Sequence, residues 1–390
     1  MDADVAVIGG GPVGSTLALL LARAGRRVAV VEKSRLPRDK VCGEGLMPAG
    51  ARVLASAGVD LLAEGFPPVR GVRYTLAGGP SVRGDLRSGP GHGVRRTRLD
   101  ALLAERAAAV RGVTFLFGCP VLDVAVEARG ARVETAQGEL RARVVVGADG
   151  LRSPTARRLG WTRPARANRA RFALVGHLAA AGRQEHRDEI VVTLLEGVEV
   201  YAAPAGHDEV LVAVLGGRDA LRRPGLTVVE RYRSAVERAH PELGGAELRG
   251  RVRGAGPFWT KPGTVARDRA LLAGDAAGFL DPLTGDGIAA GLAQAAALAA
   301  LLAGPLDLDD ARQVAAAAAR YRAWHARQWR RRRFVTALAL ALTGSTALAR
   351  RAMAGVRRRP QALESLLEVN DGTRGLGAVS PRDWAALAGF

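Results

Sequence analysis

The chain has 390 residues, 48% of them hydrophobic and 24% charged, a balance that fits a globular protein and excludes a disordered one. Its length exceeds what one small core organises, so two or three packed units are expected. The formal charge of +19 is almost entirely arginine; with aromatics at 4% and no recognition-helix, zinc or RNA-binding signature, nucleic acid is excluded as a partner.

The basic balance leaves a high-GC codon bias, or attraction to a phosphorylated substrate, an acidic carrier protein or an anionic membrane, as readings. Cys42 and Cys119 stand far apart in ordinary sequence and build neither a disulfide framework nor a metal site, which fits a reducing, cytoplasmic setting. Asp2 and Asp4 lead directly into the apolar run Val5–Ile8, so no signal peptide is expected. The apolar run Phe334–Leu342 is far shorter than the about 20 residues that span a bilayer, leaving at most a peripheral contact.

Val5–Ile8 reads as a buried strand, followed by Gly9-Gly-Gly11-Pro12-Val13-Gly14, a helical stretch Ser15–Ala24, and a second strand Val28–Val31 closed by Glu32. Gly9 permits a tight turn, Gly11 lets a pyrophosphate approach the backbone, and Gly14 allows close helix–strand packing. The helix N-terminus offers its free N–H groups to phosphates, and Glu32 suits the ribose hydroxyls of an adenosine half. This much predicts dinucleotide binding without separating NAD from FAD.

Two later segments point to FAD. Leu140–Val146 reads as a strand running into Gly147-Ala-Asp149-Gly150-Leu-Arg-Ser153. Ala270–Ala273 reads as another, running into Gly274-Asp275-Ala-Ala-Gly278 and then Asp281-Pro282-Leu-Thr-Gly285-Asp286-Gly287-Ile288. A carboxylate at Asp275 suits a ribityl hydroxyl. A helix starting near Gly287 aims its dipole at a flavin edge that becomes negative on reduction.

Between and after these segments the pattern predicts helices at Ala49–Gly58 and Leu99–Val110, strands within Val69–Val82, and a meander over Val113–Glu134. Strand-like alternation at Phe172–Leu178, Ile190–Leu195, Val198–Ala202 and Val210–Leu215 suggests an antiparallel sheet with one buried face, roofing the flavin and forming the substrate pocket. Thr227–His240 reads as a helix, Leu248–Ala255 as a strand, and Pro257–Pro262 as the crossing back. The last 80 or so residues are helical in pattern. Arg322, Arg327 and Arg330–Arg333 surround Trp324 and Trp329, with Arg350-Arg351 and Arg357–Arg359 beyond the apolar run. This fits a helical hairpin that caps the pocket with its arginines in water, or a helix pair lying on an anionic membrane.

Gly9–Gly14 with Glu32, Gly147–Ser153 and Gly274–Gly287, in this order and spacing, resemble the FAD-dependent monooxygenase superfamily with the para-hydroxybenzoate hydroxylase fold, over roughly the first 330 residues. Arg38-Asp-Lys-Val-Cys42-Gly43-Glu44-Gly45-Leu-Met-Pro48 is similar to the loop of its geranylgeranyl-reductase-like branch. The resemblance implies an α/β fold: a Rossmann-like FAD-binding domain (residues 1–68, 94–165 and 266–305), an antiparallel substrate domain (69–93 and 166–265) and a helical C-terminal segment (306–390). It implies FAD as cofactor, with NADPH or NADH as transient reductant.

The resemblance also implies the site. Cofactor contacts fall at Gly9, Gly11, Pro12, Val13, Gly14, Glu32, Lys33, Arg38, Cys42, Gly43, Arg96 and Val121. Asp149, Gly150, Ser153, Gly274, Asp275, Pro282, Gly285, Asp286, Gly287 and Ile288 complete that set. The reacting region falls at Cys42, Gly43, Glu44, Gly45, Pro282 and Tyr201. Cys42 is not expected to be a nucleophile, because no paired His accompanies it. Flavin halogenases usually carry Trp-x-Trp-x-Ile-Pro where Glu199-Val-Tyr201-Ala-Ala-Pro204 stands here, which argues against halogenation.

The expected activity is hydroxylation of an apolar or phenolic small molecule. Reduction of an isoprenoid double bond and non-catalytic flavin binding with docking to an acidic carrier are the alternatives. His177, Tyr201 and His207 are the polar positions expected in an otherwise apolar substrate sheet.

Overall fold

The computed structural model describes residues 1–163, 170–180, 188–222 and 225–390. Residues 166–169, 181–187 and 223–224 of the expected substrate domain, and 164–165 of the expected FAD-binding domain, therefore lie outside the described ones.

Val5–Ile8 belongs to a strand Ala3–Ile8 at the centre of an eight-stranded sheet, flanked in parallel by Gly138–Gly147 on one side and Val28–Glu32 on the other. Val113–Phe117 and Ala270–Leu272 extend it in parallel on the two sides, Ala266–Arg267 adds a short antiparallel edge beyond Ala270–Leu272, and Val121–Glu127 with Gly130–Thr135 forms an antiparallel flap. These central strands are continuous Val/Ala/Ile runs, buried on both faces along nearly the whole length over which they pair. Ile8 pairs with Gly147 and with Val31, and Gly147 with Leu272. The strands therefore end on a common edge. Gly9, Glu32, Ala148 and Gly274, remote in sequence, emerge side by side at the carboxyl edge where open α/β sheets bind ligands.

The substrate sheet has seven strands in the order Leu248–Ala255, Arg171–Ala179, Glu209–Gly217, Val198–Pro204, Glu189–Leu195, Gly71–Leu76, Ser81–Asp85. It departs from expectation in two ways. Glu189–Leu195 pairs with Gly71–Leu76 in parallel, since the chain enters them from separate excursions out of the FAD domain. Both of its faces are covered: every residue of Glu189–Leu195 and Val198–Pro204 is buried. Val200, Ala202, Val212 and Val214 pack on Tyr232 and Val236 of the helix Val228–Ala239, while Tyr201, Ala213 and Leu215, of opposite parity, face the FAD domain.

The C-terminal segment comprises a 33-residue helix Ala311–Thr343, then Thr346–Arg358, Gln361–Asp371 and Pro381–Leu387. The expectation that its arginines sit in water holds only in part. Tyr321, His325, Trp329 and Arg332, spaced so as to share one helix face, are all buried. The Tyr321 hydroxyl donates to the Leu272 carbonyl at 2.8 Å, and Arg332 Nε donates to Asp286 at 2.6 Å. The segment buttresses the back of Gly274–Gly287. Among the described residues none beyond Ile288 lines the cavity, so these helices do not form the expected cap. No helix among the described residues is long and apolar enough to cross a membrane.

Candidate active site

A cavity of about 640 Å³ runs along the strand edge from Glu32 and Cys119 to Gly285–Ile288, walled on one side by the substrate sheet. Two helices present their N-termini to it: Pro12–Arg23 and Gly287–Ala303. Neither N-terminus is capped by a side chain, whereas Ser153, Thr227, Asp310, Ser345 and Ser380 cap helices elsewhere. The uncapped N–H groups at the cavity are free for an anionic ligand.

At the first helix, Gly9 has φ of 108°, and a Cβ there would sit 2.7 Å from the Ala148 carbonyl carbon. A Cβ at Gly14 would run into the Gly9 carbonyl oxygen, so the helix and strand approach as closely as glycine allows. Gly11 faces guanidiniums: its Cβ would lie 3.2 Å from Arg38 Nη2 and 4.0 Å from Arg96 Nη2. Arg38 and Arg96 in turn bracket Asp100, Arg96 through a buried pair at 2.6 and 2.8 Å and Arg38 at 3.5 Å. The Asp100 carboxylate raises the Arg96 pKa against the opposing effect of burial. Two permanent cations thus stand beside the glycine turn.

The four acids of the expected cofactor-contact set separate into distinct roles. Glu32 lines the cavity and orders the turn, accepting from Gly10 N at 2.8 Å, Ser34 N at 2.8 Å and Arg38 Nη1 at 2.9 Å. Asp275 lines the cavity with no hydrogen bond to its carboxylate among the described residues, and Gln294 fixes its base by accepting from Gly274 N at 2.7 Å. Asp149 also lines the cavity, but its oxygens are taken by the Ser153 hydroxyl and by Thr155 N. Asp286 does not reach the cavity: it is buried against Arg332 and Thr284, and that guanidinium holds its carboxyl below the usual range despite burial. Ser153 and Gly14 also lie off the cavity, the first as a helix cap bonded to Ala156 N at 2.9 Å.

The remaining residues named from the sequence come together here. Pro12, Val13, Lys33 and Val121 line the end of the cavity by the glycine turn and Glu32. Gly150, Pro282, Gly285, Gly287 and Ile288 line the far end with the strip Cys42–Gly45. Burial pushes the half-buried Cys42 thiol up in pKa, against Arg96, in keeping with its not being a nucleophile. Glu44 is buried with φ of 54°, and its carboxylate is fully engaged. Oε1 accepts from Arg96 N at 2.9 Å and Arg95 Nη1 at 3.2 Å, and Oε2 meets His177 Nε2 at 2.9 Å. It shapes the loop rather than offering a free acid.

The sheet wall facing the cavity is Ala173, Val175, Ala213 and Leu215, with Phe258 and Phe279 at its end and Tyr201 as its polar group. The Tyr201 hydroxyl is buried against Gly43 and Gly45, without a hydrogen-bond partner among the described residues. Burial drives its pKa upward, with Cys42 and Glu44 adding to the effect, so it stays a neutral donor. His177 is committed to Glu44, and His207 is exposed beside Asp208, so neither is available to a ligand in this wall.

Sequence reasoning missed Lys40, Cys119, Arg152 and Arg253, which also line the cavity. Lys40 lies in the Arg38–Pro48 loop already singled out. Burial and Arg96 lower its pKa, while Asp275 opposes them. Among the described residues no His/Cys/Asp/Glu cluster suits a metal ion.

The FAD binding domain family model matches residues 2–332. This chain belongs to that family. A menaquinone reductase of Mycobacterium tuberculosis is 32% identical over 324 residues, covering 79% of this chain and 78% of that protein. A rifampicin monooxygenase of Streptomyces venezuelae is 31% identical over 78% of this chain and 64% of its own length. Among solved structures, Pseudomonas aeruginosa PqsL in complex with 2-aminobenzoylacetate aligns with a TM-score of 0.69 at 29% identity, over 82% of this chain and 91% of that one. A Cytophaga hutchinsonii flavoprotein/dehydrogenase shares the fold, with a TM-score of 0.80 at 20% identity over 95% and 93% of the two chains.

The chain is therefore an enzyme, an FAD-dependent oxidoreductase of the flavin monooxygenase superfamily. Its cavity fits that cofactor. The glycine turn admits a pyrophosphate between two uncapped helix ends, Glu32 lies at the ribose side, and the free Asp275 carboxylate lies between them.

Proposed function

We propose that this enzyme is a flavin monooxygenase that hydroxylates an elongated, largely apolar or phenolic small molecule bearing one oxygen-containing head group. The observation carrying this is the cavity wall: Ala173, Val175, Ala213 and Leu215, with Tyr201, whose buried hydroxyl has no hydrogen-bond partner among the described residues, as its polar side chain. The apolar side chains favour a hydrocarbon body, and the Tyr201 phenol, at the edge of this wall beside Gly43 and Gly45, is the group that could donate to a ligand oxygen. Bound FAD would supply hydride acceptance from NADPH or NADH and activation of oxygen. The protein's own residues would hold it at Gly9, Gly11, Pro12, Val13, Glu32, Arg38, Arg96 and Asp275, and orient the substrate on the sheet. Two monooxygenases among the relatives, acting by name on rifampicin and on 6-methylpretetramide, support the reading.

One observation favours a second reading, reduction of a substrate double bond. The Cys42–Gly45 strip, similar to the loop of geranylgeranyl reductases, lines the cavity directly opposite Tyr201, and a relative is named a menaquinone reductase. A single turnover with chemically reduced enzyme separates the two. Under the first reading substrate is converted only when oxygen is admitted and gains one atom of it. Conversion without oxygen, with gain of two hydrogens, establishes the second.

A further inference from the structure

We propose that the face formed by the end of the helix Ala311–Thr343 and the helix Thr346–Arg358 docks on an anionic lipid bilayer. Residues 311–363 contain thirteen arginines and neither Asp nor Glu. The acids that follow are already committed: Glu364 to Arg87, Glu368 to Arg374, Asp371 to Arg52 and Asp383 to Arg359. Arg327, Arg330, Arg333, Arg350 and Arg357 are exposed, and among the described residues none of them has an ion pair or hydrogen bond. Their charge is uncompensated within the protein.

An apolar stripe lies directly beside them. Phe334, Ala337, Leu338 and Ala341 follow the i, i+3, i+4, i+7 spacing of one helix face; Phe334 is 45% exposed, and Leu348, just past the turn at Gly344, is 48% exposed. An apolar stripe bordered by free arginines suits the boundary between acyl chains and anionic headgroups, where arginine stems also bury and their guanidiniums reach phosphate. A second copy of the chain suits it poorly. A two-fold contact would set this arginine cluster against itself with no carboxylate to neutralise it.

The position of the face supports a bilayer. Thr343, at the end of the long helix, donates to Glu199 at 3.0 Å. Arg171 donates to Glu199 at 2.7 Å and to Asp281 at 2.8 Å. Asp281 precedes Pro282, which lines the cavity. Three side-chain contacts thus join the proposed bilayer face to the substrate end of an apolar cavity.

The test is co-sedimentation of the flavin-loaded full chain with vesicles of phosphatidylcholine alone and of phosphatidylcholine mixed with phosphatidylglycerol. Binding is expected only to the mixed vesicles, weakening as salt is raised. The triple variant Arg330→Glu, Arg350→Glu, Arg357→Glu should bind them at least about fivefold more weakly per arginine removed. Phe334→Glu with Leu348→Glu should abolish the binding that survives high salt. Both variants replace exposed residues, so unchanged flavin absorbance and melting temperature certify their folding. Equal binding to both vesicle types, or none, overturns the proposal. So does a concentration-dependent dimer in sedimentation equilibrium that Phe334→Glu dissolves, which assigns the face to a second copy.

Discussion

Glu44 and His177 meet at 2.9 Å across the join between the FAD domain and the substrate sheet, with Oε2 of one against Nε2 of the other. Glu44 holds a positive φ that a side chain rarely adopts, and it does so because its carboxylate is tied to three elements. His177 belongs to the substrate sheet and Arg96 N to the start of the helix Arg96–Ala108. Arg95 reaches onward to Asp39 at 3.2 Å and to Glu209 at 3.4 Å. The strip Cys42–Gly45, which forms the cavity wall against Tyr201, is tied to the elements around it by this buried network.

Glu44→Ala should therefore cost about 3–5 kcal/mol, the range for removing one member of a buried ionic set and stranding the others. Glu44→Gln keeps acceptor capacity for Arg95 and Arg96 N, and should cost about 1–2 kcal/mol. Urea titration of the flavin-loaded protein, followed by both fluorescence and flavin release, measures the difference. An alanine variant as stable as the parent would show that the network does not hold the strip.

Two glycines of the first turn should fail differently. At Gly11 an added side chain enters the space between the backbone and the Arg38 and Arg96 guanidiniums, so Gly11→Val should fold but remain colourless. At Gly14 a Cβ collides with the Gly9 carbonyl, a backbone atom that cannot yield cheaply, so Gly14→Ala should lower stability itself. Flavin absorbance and circular dichroism on the two variants distinguish loss of ligand from loss of fold.

What could be read from the chain alone follows from how local each feature is. The glycine turn, Glu32 and Gly274-Asp275 announce themselves because a tight turn at a strand end dictates residue type at fixed offsets. Asp286 and Asp149 sit in equally suggestive motifs, yet turn to Arg332 and to Thr155 N. Those partners come from a helix some 46 residues downstream and from the next turn, and residue type cannot rank them against a ligand. The substrate sheet and Tyr201 were legible too, but not which of its residues share the cavity face. Tyr201 faces the cavity with Ala213 and Leu215 because Tyr201 pairs with Ala213 and Ala173 with Leu215, a strand order that hydrophobic alternation does not contain. The expected capping role of the C-terminal helices failed on the same point, since a buried arginine at position 332 is intelligible only once Asp286 is seen opposite it.

His325 should make the C-terminal buttress acid-sensitive. It is buried between Tyr321 and Trp329, with ring centroids 6.2 and 6.0 Å away, and burial lowers its pKa to about 4, Arg332 and Lys261 adding to the effect. The unfolded chain takes up this proton at about pH 6.5 and the folded one only near 4, so folding is progressively opposed as pH falls through that interval. The span corresponds to roughly 3 kcal/mol. His325→Phe keeps the stacking without the titration. The difference in melting temperature between parent and variant should be constant above about pH 7 and move in the variant's favour down to about pH 4. A difference that stays level across this range would show that His325 does not titrate as its surroundings imply.

Tyr201→Phe tests the substrate reading most directly, because its effects on fold and on turnover should diverge. In the free protein the hydroxyl is buried and has no partner among the described residues, so removing it strands none of them, and stability should stay level or rise by up to about 1 kcal/mol. FAD affinity should not change, since the cradle at Gly9–Gly14, Glu32 and Asp275 is untouched. Turnover should suffer if the hydroxyl meets a substrate oxygen: kcat/KM should fall about tenfold, the size of one hydrogen bond in a desolvated site. Because burial keeps the phenol neutral, it acts as a donor and not as a base, so the variant should retain every limb of the parent's pH–rate profile. Loss of an alkaline limb in Tyr201→Phe would instead assign it a titrating role. Unchanged kcat/KM would place the substrate's polar group elsewhere in the cavity.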